Sequence, residues 1–416
     1  MVSSILRRWP LRAAPALAGA ILGCAGGQPA AEPSPEPEVA APLSGDNYAV
    51  VYRADGAIRH MDTRTGEPGR VLVKAGQVVS AVPSPDGRRV AVALKQGAQS
   101  AVRVFDAASG SGTEVYDGGA EASFTMRWSG DGTRLGVGVR DPGRGGIVLL
   151  DADGSVRSIG CRASDRFEAW RTPAEVVVRG ETSLYVVRTS DCGTLATIGL
   201  TGMRDPEYSR DGSRLSYYQD RPVTFANRAE PELIPELWIA APDGAGARVI
   251  ADYQSRPRHA VWSPNGERIV YEVVSRRWAN TTHLVAYEPA TNAYAYIAQE
   301  MELGVPNDFG ACWSPDSRRI AHDRTYARST GARSYTTRQV VVREGTTEKV
   351  VLDEVIDVPP AQVVADPPAR CRWMGGRYLL VDTRQGQRVV DVEDGETYRV
   401  PPERQVLVVR VFEHAP

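Results

Sequence analysis

Ala260-Val261-Trp262-Ser263-Pro264-Asn265-Gly266-Glu267-Arg268-Ile269-Val270-Tyr271 reads as strand, tight turn, strand. Ala260 to Trp262 suit a pleated, buried strand. Ser263-Pro264-Asn265-Gly266 is a turn with a mechanism, since Pro presets φ while Asn and Gly tolerate φ > 0. Ile269 to Tyr271 form the returning strand. The hairpin recurs along the chain, and a sequence built from copies of one unit is a repeat architecture.

The other copies are Val82-Pro83-Ser84-Pro85-Asp86-Gly87, Met126-Arg127-Trp128-Ser129-Gly130-Asp131-Gly132, Glu207-Tyr208-Ser209-Arg210-Asp211-Gly212 and Cys312-Trp313-Ser314-Pro315-Asp316-Ser317. Degenerate copies stand at Ala169-Trp170-Arg171-Thr172-Pro173 and Arg372-Trp373-Met374-Gly375-Gly376, and a partial one begins at Asp46. The spacings are 45 from Ser84 to Ser129, 43 to Thr172, 37 to Ser209, 54 to Ser263 and 51 to Ser314. The early values match a four-stranded propeller blade, and the later ones a blade plus an insertion. Two further strand-like runs follow each hairpin, such as Val102–Phe105 and Thr113–Tyr116. Gln405–Phe412 is one spare strand, and the first unit is short of one innermost strand. The expected fold is therefore all-β: an eight-bladed β-propeller of four-stranded blades, closed by the C-terminal strand completing blade one, which leaves no long unpaired edge.

These residues resemble the WD40-like PD40 repeat of the propeller domains of TolB and of prolyl-oligopeptidase-type peptidases, over about Ser44 to Glu413. The Trp-Ser-Pro-Asp/Asn-Gly-x-Arg-Ile core implies the fold; the repeat serves many functions, so it does not imply one. The recurring Trp128, Trp262, Trp313 and Trp373 read as rings that fill the space between neighbouring sheets. The Asp-Gly pairs read as turns rather than metal ligands, and Asp151-Ala152-Asp153-Gly154 lacks the later Glu of a calcium loop.

The N-terminus reads as targeting. Arg7, Arg8 and Arg12 precede a short apolar run, Ala13 to Gly23, of the length of a signal-peptide core. Ile21-Leu22-Gly23-Cys24 resembles a bacterial lipobox, which implies that Cys24 is lipidated and becomes the new N-terminus. Residues 1–23 are then a lipoprotein signal peptide, 24–43 a disordered Pro/Ala/Glu-rich tether, and 44–416 the propeller. The implied location is the bacterial cell envelope, in the periplasm or otherwise outside the cytoplasmic membrane, with membrane contact through the lipid anchor only.

Composition is that of an ordinary globular chain, 42% hydrophobic and 24% charged, and the 40 Gly and 29 Pro suit many turns. A net charge of −2 argues against a general nucleic-acid binder. Beyond Cys24, four Cys remain, and export permits disulfides. Cys161 and Cys192 flank strands of one blade and form the candidate pair; Cys312 and Cys371, on innermost strands of neighbouring blades, read as buried small hydrophobes. No spacing suggests zinc, and no cofactor is expected. No G-x-S-x-G, H-E-x-x-H or phosphate-binding loop occurs, and the five His are scattered.

Blades five to seven carry extra length between their second and third strands, at 219–235, 274–282 and 322–338. These stretches hold Arg276, Arg277, Trp278, Arg324, Tyr326, Arg328, Arg333 and Tyr335, the candidate partner-binding residues, because Arg and aromatics anchor interfaces and function concentrates in long loops. The expectation is a monomeric binding or scaffold module for an envelope protein or anionic glycan. The alternative is a propeller enzyme, a polysaccharide lyase or hydrolase, with its site at the central channel, which an axial cluster of carboxylates and His would favour.

Overall fold

The turn motif folds as its residues dictate. At Ser263 the backbone N–H donates to the Arg268 carbonyl at 2.8 Å, and the Arg268 N–H returns to Ser263 Oγ at 2.9 Å. Gly266 N–H donates to the Ser263 carbonyl at 2.9 Å, with Gly266 at φ 72. The same set recurs at Ser129, Ser209 and Ser314. At the last of these, Ser317 takes the glycine position at φ 62. The serine is buried each time, so its hydroxyl satisfies backbone groups that water cannot reach. The turn Asp accepts as well: Asp131 takes bonds from Ser129 Oγ at 2.6 Å and Thr133 N at 3.0 Å.

The computed structural model describes residues 48–411 except 55–56, 62–67, 75–77, 85–88, 107–110, 120, 142–145, 152–153, 160–165, 200–201, 210, 227–229, 276–280, 298–306, 331–332, 357–370, 375–376, 384 and 400–404. Side chains are described within 78–397, apart from those stretches and from 83, 96, 275, 327–335, 356 and 374. The signal segment, Cys24 and the tether lie outside the described residues. All described residues fall in one unit, Val39–Pro416.

The described strands are antiparallel and grouped in fours. In chain order the sheets open with the strands Val78–Pro83, Ser123–Trp128, Arg166–Thr172, Met203–Tyr208, Arg258–Trp262, Asn307–Trp313 and Arg372–Met374, each followed outward by three more. A further sheet joins Tyr48–Ala54, Ala57–Met61 and Pro68–Lys74 to the last strand, Gln405–Val411, with Tyr48 opposite Val411 and Arg53 opposite Gln405. Apolar cores lie between successive sheets. Ala91, Val102 and Val104 of one sheet pack with Met126, Leu135 and Val137 of the next. Leu237 and Ile239 pack likewise with Ile269 and Val285.

Several of the described seams are fastened in both directions. Indole Nε1–H groups donate backwards to the preceding sheet: Trp128 to the Val82 carbonyl at 2.9 Å, Trp170 to Arg127 at 2.8 Å, Trp313 to Val261 at 3.1 Å and Trp373 to Cys312 at 3.2 Å. Trp262 donates to Ser216 Oγ at 2.9 Å. The turn arginines reach forwards. Arg89 donates to the Gly132 and Thr133 carbonyls at 2.8 and 2.6 Å, with its guanidinium 4.8 Å from the Trp128 ring centre. Arg268 and Arg319 sit over Trp313 and Trp373 at 4.9 and 5.2 Å. The tryptophans thus fill the seams, as their spacing suggested.

Two expectations are corrected. Cys312 and Cys371 are not free small hydrophobes: they form a disulfide between the first strands of neighbouring sheets, with Cα atoms 6.2 Å apart. The reason is the convergence of those strands, which the Trp373–Cys312 hydrogen bond also marks. Cys192 is also disulfide-bonded, while Cys161 lies outside the described residues. The extra length at 219–235 and 322–338 is mostly not loop. Leu215–Val223 pairs with Glu232–Ala240 as far as Val223 opposite Glu232, and Arg319–Thr330 pairs with Arg333–Glu344 as far as Thr330 opposite Arg333. The Thr, Tyr and Val of these segments suit the pleat and prolong the hairpins.

Candidate functional site

The residues expected to bind a partner divide three ways. Arg276, Arg277 and Trp278 lie outside the described residues. Arg328 and Tyr335 stand opposite each other at the end of the long hairpin, and their side chains are not described. Arg324 and Tyr326 are not surface anchors, being only 3% and 4% exposed. Arg324 donates from Nε to Asp308 Oδ1 at 2.7 Å and from Nη1 to Glu348 Oε2 at 3.0 Å. A guanidinium so engaged holds two strands of its own sheet and has no free fork for a ligand. Desolvation pulls its pKa down, but Asp308 and Glu348 more than compensate.

The other face of interest is formed by the first strands. Counting back four residues from each turn serine or threonine gives Ser80, Thr125, Glu168, Asp205, His259 and Gly310. Asp205, His259 and Gly310 are left-handed, at φ 47, 49 and 67, and each interrupts the register of its strand. Holding Asp and His there costs on the order of 1 kcal/mol or more per residue, so neighbouring contacts must impose it. Those contacts come from residues nine positions after the turn serine. Tyr218 OH accepts the Ala260 N–H at 2.8 Å, and Glu272 Oε1 accepts the Gly310 N–H at 3.0 Å.

His259 and Glu272 form the best-defined pair of this bulge layer. His259 Nδ1 lies 3.0 Å from Glu272 Oε2; the imidazole is 61% exposed, while the carboxylate is 2% exposed. Arg258 Nε also donates to Glu272 Oε2 at 2.9 Å, and its Nη2 reaches Thr282 Oγ1 at 2.8 Å. With Nδ1 committed to Glu272, Nε2 is the ring nitrogen left for another contact. The hydrogen bond to Glu272 raises the His259 pKa, against desolvation. Burial would raise Glu272, but the bonds from His259 and Gly310 and the charge of Arg258 hold it below its usual value. Nearby, Glu207 is reached by water yet closely surrounded, and desolvation pushes its carboxyl up, with the Arg127 charge opposing. Tyr218 is raised by desolvation and by the charges of Glu207, Glu272 and Asp205.

A cavity of about 950 Å³ opens over three successive first strands, lined by Thr125, Arg127, Arg140, Arg166, Glu168 and Asp205 among others. Glu168 is paired with Arg179 at 2.8 Å, and Arg204 with Asp220 at 2.6 Å. Arg127, Arg140 and Arg166 have no ion-pair partner among the described residues. A smaller cavity of about 380 Å³ continues past Arg127 to Glu207, Trp262 and Ser263. No group of three His, Cys, Asp or Glu among the described residues could hold a metal ion. The alignment that exposed the repeats also carried these residues, because Glu168, Asp205 and His259 share one column and Tyr218 and Glu272 another.

No family model matches the chain, and no curated protein matches it. Solved structures do. A eukaryotic initiation factor is 14% identical, covering 84% of this chain and 82% of that one, with a TM-score of 0.50. The β-propeller domain of the Trilobed protease from Pyrococcus furiosus is 14% identical over 78% of this chain and all of that one, with a TM-score of 0.48. TolB from Acinetobacter baumannii is 15% identical over 72% of this chain, with a TM-score of 0.34; the chain spans 63% of that structure's length. At such identities the likeness is one of fold. With the sheets in fours and a core in each seam, it makes the chain a β-propeller protein.

Proposed function

We propose that the chain is a lipid-anchored cell-envelope propeller of eight blades that binds an anionic glycan on the wall formed by its first strands. Pairing of Gln405–Val411 with Tyr48–Ala54, and its contact with the strands Arg372–Met374 and Val78–Pro83, support closure of the ring through blade one. The anchor reading rests on the basic segment, the apolar run and Cys24. Arg276, Arg277 and Trp278, with Arg328 and Tyr335, are rim contacts in this reading.

The observation that carries binding is the set Arg127, Arg140 and Arg166, cations without an ionic partner among the described residues on one large polar cavity. Guanidinium forks match carboxylate, sulfate or phosphate groups two bonds at a time. Replacing all three by Ala lowers affinity for polygalacturonate or alginate by about tenfold or more and flattens its salt dependence. Neutral dextran does not bind. Unchanged affinity, measured by calorimetry on the full chain, would remove the case for this wall, and capture of an acidic envelope protein instead would replace the glycan as partner. The alternative, an enzyme with its site on the same wall, is favoured by one observation, the His259–Glu272 pair.

A further inference from the structure

The uncommitted charge around the two cavities divides by sheet. Arg127 is exposed on the strand Ser123–Trp128, and Arg140 on the strand Leu135–Arg140 of the same sheet. Arg166 is exposed on the first strand of the next sheet, Arg166–Thr172. All three line the cavity of about 950 Å³. The one acid of that middle sheet on the lining, Glu168, is neutralised by Arg179 at 2.8 Å.

The third sheet contributes the other sign. Its first strand, Met203–Tyr208, buries Met203, Pro206 and Tyr208 and exposes Arg204, Asp205 and Glu207. Arg204 is spent on Asp220 at 2.6 Å. Asp205 and Glu207 are left with no hydrogen-bond or ion-pair partner among the described residues. Asp205 lines the larger cavity, Glu207 the smaller one, and Arg127 both. One continuous wall therefore carries unpaired guanidinium groups on two sheets and unpaired carboxylates on the third. Glu121, in the turn ahead of Ser123, is a further uncommitted acid on the lining, whereas Asp141 accepts bonds from Tyr116 OH and the Gly119 N–H.

A ligand bearing acid groups alone is attracted by the first two sheets and repelled by the third, because like charges brought together on binding count against it. A ligand that also carries an ammonium group is attracted by all three. We propose that the ligand of this wall is a zwitterionic glycan, its acid groups paired with Arg127, Arg140 and Arg166 and a free sugar amine paired with Asp205 and Glu207. This deepens the reading that the wall binds an anionic glycan and rests on it. The arginines supply most of the attraction, and the two carboxylates select among acidic glycans.

The test compares two forms of one heparin preparation by calorimetry on the full chain. In one form the N-sulfates are removed to leave free amines; in the other the same amines are then acetylated. The acetylated form has the greater net negative charge, so the arginines alone would favour it. The free-amine form is expected to bind about fivefold more tightly, the size of an exposed ion pair. Asp205→Asn with Glu207→Gln should abolish that preference without weakening the binding of the acetylated form. Asp205 stands at φ 47, a conformation that Asn tolerates as Asp does, and Glu207 is exposed, so each single variant keeps the fold and should lose part of the preference. Equal or tighter binding of the acetylated form by the wild type overturns the zwitterionic ligand and leaves the acidic-glycan reading intact. Binding of neither form overturns both. A preference that survives in the double variant overturns the assignment to Asp205 and Glu207.

Discussion

Gly212 shows how little latitude the turn allows. It sits at φ 69, and a Cβ there would lie 1.8 Å from the Arg171 carbonyl oxygen of the preceding sheet. Gly246, at φ 61, has nothing within 4 Å of such a Cβ. Gly212→Ala is expected to cost roughly 3 kcal/mol or more, and Gly246→Ala about 1 kcal/mol, by denaturant titration. Asp323 gives a pH prediction. Desolvation raises its carboxyl to about 6, although Arg338 at 2.8 Å opposes this. Its folded pKa exceeds the unfolded one, so the native state binds the extra proton between about pH 4 and 6. Its contribution to stability is present below that window and is lost as pH rises through it, on the order of 2 kcal/mol. Asp323→Asn should remove that slope from a plot of stability against pH. At this scale the sequence was hardest to read. Arg324 stands in a run of polar residues and looks solvated; its partner Asp308 lies on another strand, and only the fold brings them together. His259 was visible as a letter, but the carboxylate that gives it a role, Glu272, became its partner only through the bulge.

At the scale of the strand and the seam, legibility was better. The four-strand unit and the interleaved tryptophans followed from spacing, since a ring that recurs at the repeat period needs a repeating neighbour. The long hairpins did not follow: polar Thr-, Arg- and Tyr-rich runs read equally as loop, and the alternation that makes them strands is disguised by buried ion pairs on both faces. The disulfide was missed for a related reason, because sequence shows which strands are innermost but not how near two sulfurs come. It spans 59 residues, so loop-closure entropy assigns it about 4 kcal/mol. Cys312→Ser with Cys371→Ser should lower the denaturant midpoint accordingly, and a reductant should lower the wild-type midpoint by more than that of the double variant, which keeps the disulfide of Cys192.

Across the whole chain, the repeated motif made the all-β propeller class readable before any coordinates, whereas the burial of Arg324 and Tyr326, two of the candidate binding residues, was not readable. The half of the molecule singled out, the later sheets with added length, is also where Asp205, His259, Tyr218 and Glu272 depart from the plain residues of earlier sheets, such as Thr125 and Gly138. Added length is conspicuous in a sequence, whereas a polar residue in a strand column is not. The pairing of the last strand with the first yields a further expectation. Ending the chain before Gln405 exposes the Tyr48–Ala54 edge, and the shortened protein should lose cooperative unfolding and self-associate, as seen by calorimetry and light scattering. Retention of a single sharp transition would show that this strand is dispensable.

The two-way fastening of the seams bears on how such a chain can change in length over evolutionary time. The forward Arg89 belongs to one repeat and the backward Trp128 to the next, so a repeat that has both residues carries one half of two clasps. Deleting or duplicating a whole period that has both residues leaves a matching Arg and Trp at the new junction, whereas cutting in mid-period leaves two unmatched halves. Gain and loss of material by whole periods is thus built into the chemistry of the joint, and the ionisable layer on the inner wall can drift from one copy to another without disturbing it.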